Sequence, residues 1–305
     1  MLAYRRRKWG NVMATRINRA IELLEADQAI YYEGPHTGHV LTYDQGRTDA
    51  KTWADYINVG MEHGAFDMTG LEEYMRGLLD GGPTRSGHLT PTVIVEAPVN
   101  GTDGPNVAFN AWQFRQILAR GVHGILLCQA ESPDAVKEFV RACRFPHHTA
   151  GTDTLGGGTR GRGSEPTAAP IWGLTQEEYF ARAEPWPLNP KGELLLGVKI
   201  ESPAGVAHAA EILAVPGLGF AELGPGDLGL ALGYTTLQRR PYPPAMEDAR
   251  KKVFAGCRKN KLAFLEGATP DKIAASLDEG VRVISGHNPE SAKVGRAHQK
   301  RTMPV

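Results

Sequence analysis

The sequence predicts an α/β protein built as a (β/α)8 TIM barrel of parallel strands, and three observations carry that expectation. Short apolar, β-branched runs recur eight times along the chain. Segments with apolar residues at helical spacing separate most of them, and several open with a proline near the first turn. No GxGxxG follows the first run, so nothing favours the doubly wound open sheet that shares this alternation.

The strands are expected at residues 29–34 (AIYYEG), 56–61 (YINVGM), 92–97 (TVIVEA), 124–128 (GILLC), 194–201 (LLLGVKIE), 219–224 (GFAELG), 261–267 (KLAFLEG) and 281–285 (VRVIS). Helical spacing predicts helices over 68–79, 107–119, 133–144, 203–214, 245–257, 270–280 and 289–299. Pro133, Pro203, Pro270 and Pro289 stand where a missing N–H costs a helix nothing. Each helix carries the chain back over the sheet, so consecutive strands must run parallel. Residues 29–300 therefore read as one barrel domain, preceded over 1–28 by an N-terminal leader and helix, with Met13 a candidate second start.

One segment interrupts the rhythm. FPHHTAGTDTLGGGTRGRGSEPTAAPIWG lies between the fourth and fifth strands, followed by the short helical pattern TQEEYFARAE. A loop of that length in a compact domain is more often functional or mobile than idle. Its glycines, with Arg160 and Arg162, offer backbone N–H groups and positive charge to an anion. The segment lacks the GK[ST] of a nucleotide-binding loop.

Composition excludes several classes. Lys+Arg and Asp+Glu both total 34 in the 305 residues, so no charge excess argues for nucleic acid or a membrane surface. Three scattered cysteines form neither a disulfide framework nor a CxxC metal pair, which fits a reducing cytoplasm. No apolar run approaches the ~20 residues of a membrane span.

The chemistry concentrates between Gly197 and Tyr234, GVKIESPAGVAHAAEILAVPGLGFAELGPGDLGLALGY. Glu201 ends one strand and Asp227 follows the next, at the carboxyl edge where a barrel keeps its active site. Two carboxylates there either bind a divalent ion or pair with Arg or Lys at the rim. Gln129, after the fourth strand, and Asn100, after the third, are placed to reach a substrate. His147 and His148 fit no common zinc spacing and are expected to face solvent. Trp172 and Tyr179 are candidates for a lid or a subunit contact, and Trp53, Trp112 and Phe114 for core or interface.

KIESPAGVAHAAEILAVPG followed by FAELGPGDLGLALG resembles the HpcH/HpaI aldolase family, and GMEHGAFDMTGLEEYMRGL, ILARGVHGILLCQAESPDAVKEFVRACRFP and the GTRGRGS run agree in order and spacing. The resemblance spans roughly residues 29–296. It implies a (β/α)8 barrel and a metal-dependent carbon–carbon lyase of the aldehyde-lyase type, cleaving a hydroxy-keto acid or related small carboxylate through a metal-stabilised enolate. It also implies a homo-oligomer, a hexamer that exchanges a terminal helix. Carried onto this chain, the ligands of a magnesium or manganese ion are Glu201 and Asp227. His63 is the proton-carrying or water-positioning histidine, and Glu62 accompanies it. Gly163 and Ser164, with Arg160 nearby, fall where the family holds the substrate carboxylate. Citrate-lyase or malyl-CoA-lyase chemistry is the alternative, as is a relative with altered or lost lyase chemistry.

This chain departs from the pattern at three places. The family's keto-oxygen-binding arginine on the third strand is Glu96 here, its acidic partner of the histidine is missing near Gly60, and the glutamine preceding the metal glutamate is Lys199. Strand alternation puts Lys199 on the face of Glu201. An ion pair between Lys199 and Glu96 over the metal site is therefore expected, and both residues are counted with the catalytic set.

Overall fold

Alternation along parallel strands sorts the apolar side chains into two cores, one inside the barrel and one beneath its helices. The computed structural model describes residues 14–285 and 288–305. The predicted leader lies outside the described residues as far as residue 13, and the helix expected after it is Arg19–Glu25, capped by Asn18.

The strands are β1 (Ile30–Glu33), β2 (Tyr56–Gly60), β3 (Thr92–Ala97), β4 (Gly124–Leu127), β5 (Pro185–Trp186), β6 (Leu194–Ile200), β7 (Phe220–Leu223), β8 (Ala263–Gly267) and β9 (Val283–Ser285). All pair in parallel, in the order β4-β3-β2-β1-β9-β8-β7-β6, and pairing of β4 with β6 closes the barrel. The two-residue β5 lies beside the start of β6, outside the ring of eight.

Residues of one parity face inward. Ile30, Tyr32, Tyr56, Ile94, Leu126, Leu195, Phe220, Leu265 and Val283 form the inner core, closed below by Ala20, Ile21 and Leu23 of the first helix. Gly197 is needed there, because a Cβ would meet the Phe220 ring at 2.3 Å. The other parity packs under the helices. In Pro133–Cys143 the buried Ala135, Val136, Phe139, Val140 and Cys143 follow helical spacing, Ser132 caps the start, and Pro133 fills the first turn. Each such buried aliphatic or aromatic side chain contributes about 1.5–3 kcal/mol.

Two local expectations differ from the structure. The helix predicted over 203–214 forms two pieces, Pro203–Ala207 and Ala209–Ile212, separated at His208, which has left helical geometry. Helix Tyr43–Asp49 went unread because it buries only Gly46 and so carries no apolar stripe. The last helix, Pro289–His298, buries Ser291, Ala292 and Gly295. Buried Asp55 holds that end of the chain, pairing with Arg19, Arg296 and Arg301 at 2.9, 3.2 and 2.7 Å.

Candidate active site

The inward parity that builds the core turns polar toward the carboxyl ends of the strands. Above Tyr56 comes Asn58, above Ile94 Glu96, above Leu126 Cys128, and above Phe220 Glu222. On β6 the inward series continues past Leu195 and Gly197 to Lys199 and Glu201. All of these side chains are buried.

At the rim two sets of potential ligand atoms converge, Glu62 with Cys128 and Glu201, and Glu62 with His63 and Asp227. Within each set the atoms lie within 4.8 Å of one another. Asp227 sits in the first turn of helix Pro225–Ala231, an element the sequence reading had not recognised as helical. Gln129, with a left-handed backbone at φ 50°, joins the two carboxylates. Its N–H donates to Glu201 Oε1 and its side-chain amide to Asp227 Oδ2, both at 2.8 Å. Gly224 makes room for Glu201, since a Cβ there would stand 2.4 Å from Oε2.

Burial pushes the Glu201 carboxyl up to about 8; Lys199 opposes that rise and Glu62 adds to it. A carboxylate so placed gains from added positive charge. Burial also drives the Cys128 thiol well above its ordinary range, so it stays protonated beside the oxygens. The donor set is therefore one of hard oxygens, which fits a divalent ion of the magnesium or manganese type.

Lys199 and Glu96 do not form the expected ion pair. The Lys199 ammonium lies 2.5 Å from Glu62 and 3.9 Å from Glu201. Glu96 instead accepts from Asn58 at 2.9 Å and contacts His36 Nδ1 at 2.6 Å. Parity places Lys199 on the inner wall, and the rim carboxylates capture it because they stand closer. Burial works against the charge of Lys199, but the carboxylates of Glu222, Glu201 and Glu96 oppose it and raise its pKa far above the usual range. It is a fixed cation and carries no free amine for a Schiff base. Glu96 is held below the ordinary carboxylate range: burial opposes this, but the His36 hydrogen bond and the Lys199 charge prevail. The same hydrogen bond raises His36.

His63 stands at the mouth, half-exposed, with Nε2 3.6 Å from Glu62. The remaining predicted substrate residues lie elsewhere. Helix Pro133–Cys143 returns to the amino-terminal end of the barrel, and there the Arg160 N–H donates to the Arg144 carbonyl at 2.9 Å. Arg160 Nη2 binds Ser164 and Tyr179 at 2.9 and 2.7 Å, and the Gly163 N–H binds Glu165 at 2.8 Å. Trp172 donates to the carbonyl of Gly121, just before β4, at 2.9 Å. Arg160, Gly163 and Ser164 thus knit the insertion to the end of the barrel opposite Glu201 and Asp227. Trp172 and Tyr179 are buried in this chain and form no lid. His148, expected to face solvent, is largely buried and bonds the Phe180 carbonyl at 2.9 Å. Asn100 is exposed, its carbonyl bonded by Asn106 at 2.6 Å.

The sequence reading missed Asn58, Glu222 and His36. Parity with Lys199, the register partner of Glu222, carried the signal for the latter. His36 lies in a loop whose path no local pattern announces.

Known proteins resemble this chain along most of its length. Residues 100–283 match the HpcH/HpaI aldolase/citrate lyase family. A hydroxypyruvate/pyruvate aldolase of Delftia acidovorans is 37% identical over 166 residues, 47% of this chain and 55% of that protein. One from Roseobacter denitrificans is 26% identical over 231 residues, 76% of each chain. Among solved structures, an HpcH/HpaI aldolase/citrate lyase family protein from Burkholderia cenocepacia superposes with a TM-score of 0.66 at 21% identity, covering 92% of this chain and 96% of its own. That superposition shows the fold.

Proposed function

Because this chain belongs to the HpcH/HpaI aldolase/citrate lyase family, we propose that it is a metal-dependent carbon–carbon lyase acting on a hydroxy-keto acid or related small carboxylate. The observation that carries this reading is the pair of ligand sets that share Glu62 at the barrel rim, one with Glu201 and one with His63 and Asp227, joined by Gln129. A divalent magnesium- or manganese-type ion there supplies positive charge for the keto-acid oxygen as the carbon–carbon bond breaks.

The chain's own residues supply the rest. Glu201 and Asp227, with Glu62, hold the ion, and Gln129 fixes the two carboxylates in place. Lys199 partly neutralises Glu62 and Glu201 and adds a permanent cation to the rim. His63, exposed at the mouth, carries the proton between substrate hydroxyl and solvent, a task suited to an imidazole. Glu96 lies deeper and faces His36 and Asn58.

An acyl-CoA lyase needs cations for the CoA phosphates and is less well supported, because Arg160 and Arg162, the anion-binding candidates, belong to the insertion at the opposite end. A homo-oligomer, hexameric as the resemblance implies, belongs to the same proposal. No helix among the described residues is long and apolar enough to cross a membrane; a cytoplasmic location belongs to the same proposal. The test is retro-aldol release of pyruvate or glyoxylate from a panel of hydroxy-keto acids, with and without magnesium or manganese. Glu201→Ala and Asp227→Ala are expected to lose metal retention in calorimetry along with turnover. Metal-dependent release from no member of the panel rejects the reading.

A further inference from the structure

Beneath the rim the barrel wall carries two carboxylates with unused acceptors. Glu96 spends Oε1 on His36 and Asn58, and its buried Oε2 has no hydrogen-bond partner. Glu222 is 6% exposed, and its Oε2 is likewise buried, neither oxygen having a partner among the described residues. Both project into the barrel above Tyr32, Tyr56, Ile94 and Phe220, and their charges act on each other and on Tyr32. Lys199 reaches both through its charge alone, because its close contacts are with Glu62 and Glu201.

A buried polar atom left unpaired costs free energy, about 1–3 kcal/mol or more if charged, and in a native barrel mouth it calls for an explanation. A structural role supplies none here: apolar side chains at these positions would pack on the same aromatic floor without that cost. The acceptors do suit a ligand that brings donors. A second carboxylate would meet Glu96, Glu222, Glu62 and Glu201 and be repelled.

We infer that Glu96 and Glu222 form a subsite that receives the hydrogen-bond-donating end, hydroxyl or ammonium, of the substrate's aldehyde fragment, and that they discriminate against fragments ending in a carboxylate. The inference rests on the lyase reading above and specifies its substrate class. Glu222, which has no hydrogen bond among the described residues to maintain, is the main selector. Glu96 is oriented for the same task by His36 and Asn58.

The experiment has two arms. In the first, the unaltered chain with magnesium or manganese is given pyruvate in deuterium oxide, and methyl proton exchange is followed by NMR. That exchange needs the metal site and proton transfer but no aldehyde. In the second, aldol addition of pyruvate to glyceraldehyde, 3-aminopropanal and succinic semialdehyde is compared in the unaltered chain, Glu222→Gln and Glu222→Leu. The unaltered chain is expected to prefer glyceraldehyde or 3-aminopropanal, which distinguishes the hydroxyl from the ammonium arm. Both variants are expected to lower that preference over succinic semialdehyde about tenfold or more. Glu222→Leu is also expected to raise the melting temperature, since it removes an unpaired buried carboxylate. Exchange with an unchanged aldehyde ratio, or a melting temperature lowered by Glu222→Leu with the ratio intact, overturns the subsite. Absence of exchange in the unaltered chain rejects the lyase reading and the subsite with it.

Discussion

At the scale of single residues, the rim is governed by competition for charge. A divalent ion of the proposed kind would share Glu62 and Glu201 with Lys199, and the ammonium already lies 2.5 Å from the first of these. Lys199→Met leaves both carboxylates buried without their cation, and breaking a buried pair costs about 3–5 kcal/mol. The metal-free variant is therefore expected to melt well below the unaltered protein. Saturating magnesium or manganese is expected to narrow that gap, because the ion binds only the folded site. Scanning calorimetry with and without metal checks this; an equal loss in both conditions would show that ion and ammonium do not share these carboxylates.

At the scale of elements, the C-terminal helix is held by charge as well as by packing. Asp55 is fully buried and faces the guanidinium groups of Arg19, Arg296 and Arg301, while Arg296 and Arg301 also lie 5.1 and 5.4 Å from the Tyr31 ring. Burial would raise the Asp55 pKa, but the arginines hold it below its ordinary value. Asp55→Asn leaves those cations without their anion, at a cost of about 3–5 kcal/mol. The expected result is a lower melting temperature and faster proteolytic cleavage around residues 288–305. An unchanged cleavage pattern would place the anchoring in the apolar contacts alone.

At the scale of the whole barrel, a buried histidine at its amino-terminal end adds a contribution that acid removes. His123 is buried between β3 and β4, and its Nδ1 accepts from the Val93 N–H at 3.1 Å, which requires a neutral ring. Burial, with a smaller effect from His88, lowers its pKa from 6.5 to about 3. The unfolded chain therefore binds a proton between those values that the folded chain refuses. The stability from His123 is complete above about pH 6.5 and is lost progressively as the pH falls toward 3. Urea midpoints are expected to fall between pH 7 and pH 5, and His123→Gln, whose amide oxygen can accept the same bond, is expected to flatten that dependence. A midpoint slope unchanged by the substitution would assign the acid sensitivity to other groups.

The sequence by itself determined the barrel and the placing of Glu201 and Asp227 at its carboxyl edge. Strand and helix periods are local properties, and all eight predicted runs lie on barrel strands, with Glu201 and Asp227 at their carboxyl ends. Parity along β6 was also enough to turn Lys199 inward with Glu201. Local pattern could not decide which charges would meet across the barrel. Lys199 reaches Glu62, 137 positions away, while Glu96 turns to His36. It could not show that the insertion bearing Arg160, Gly163 and Ser164 belongs to the end away from the rim, because the direction of a loop follows from the helix that precedes it. Nor could it show that Glu96 and Glu222 keep unpaired oxygens. Pairing and desolvation depend on distances across a closed barrel, and only the tertiary structure sets them.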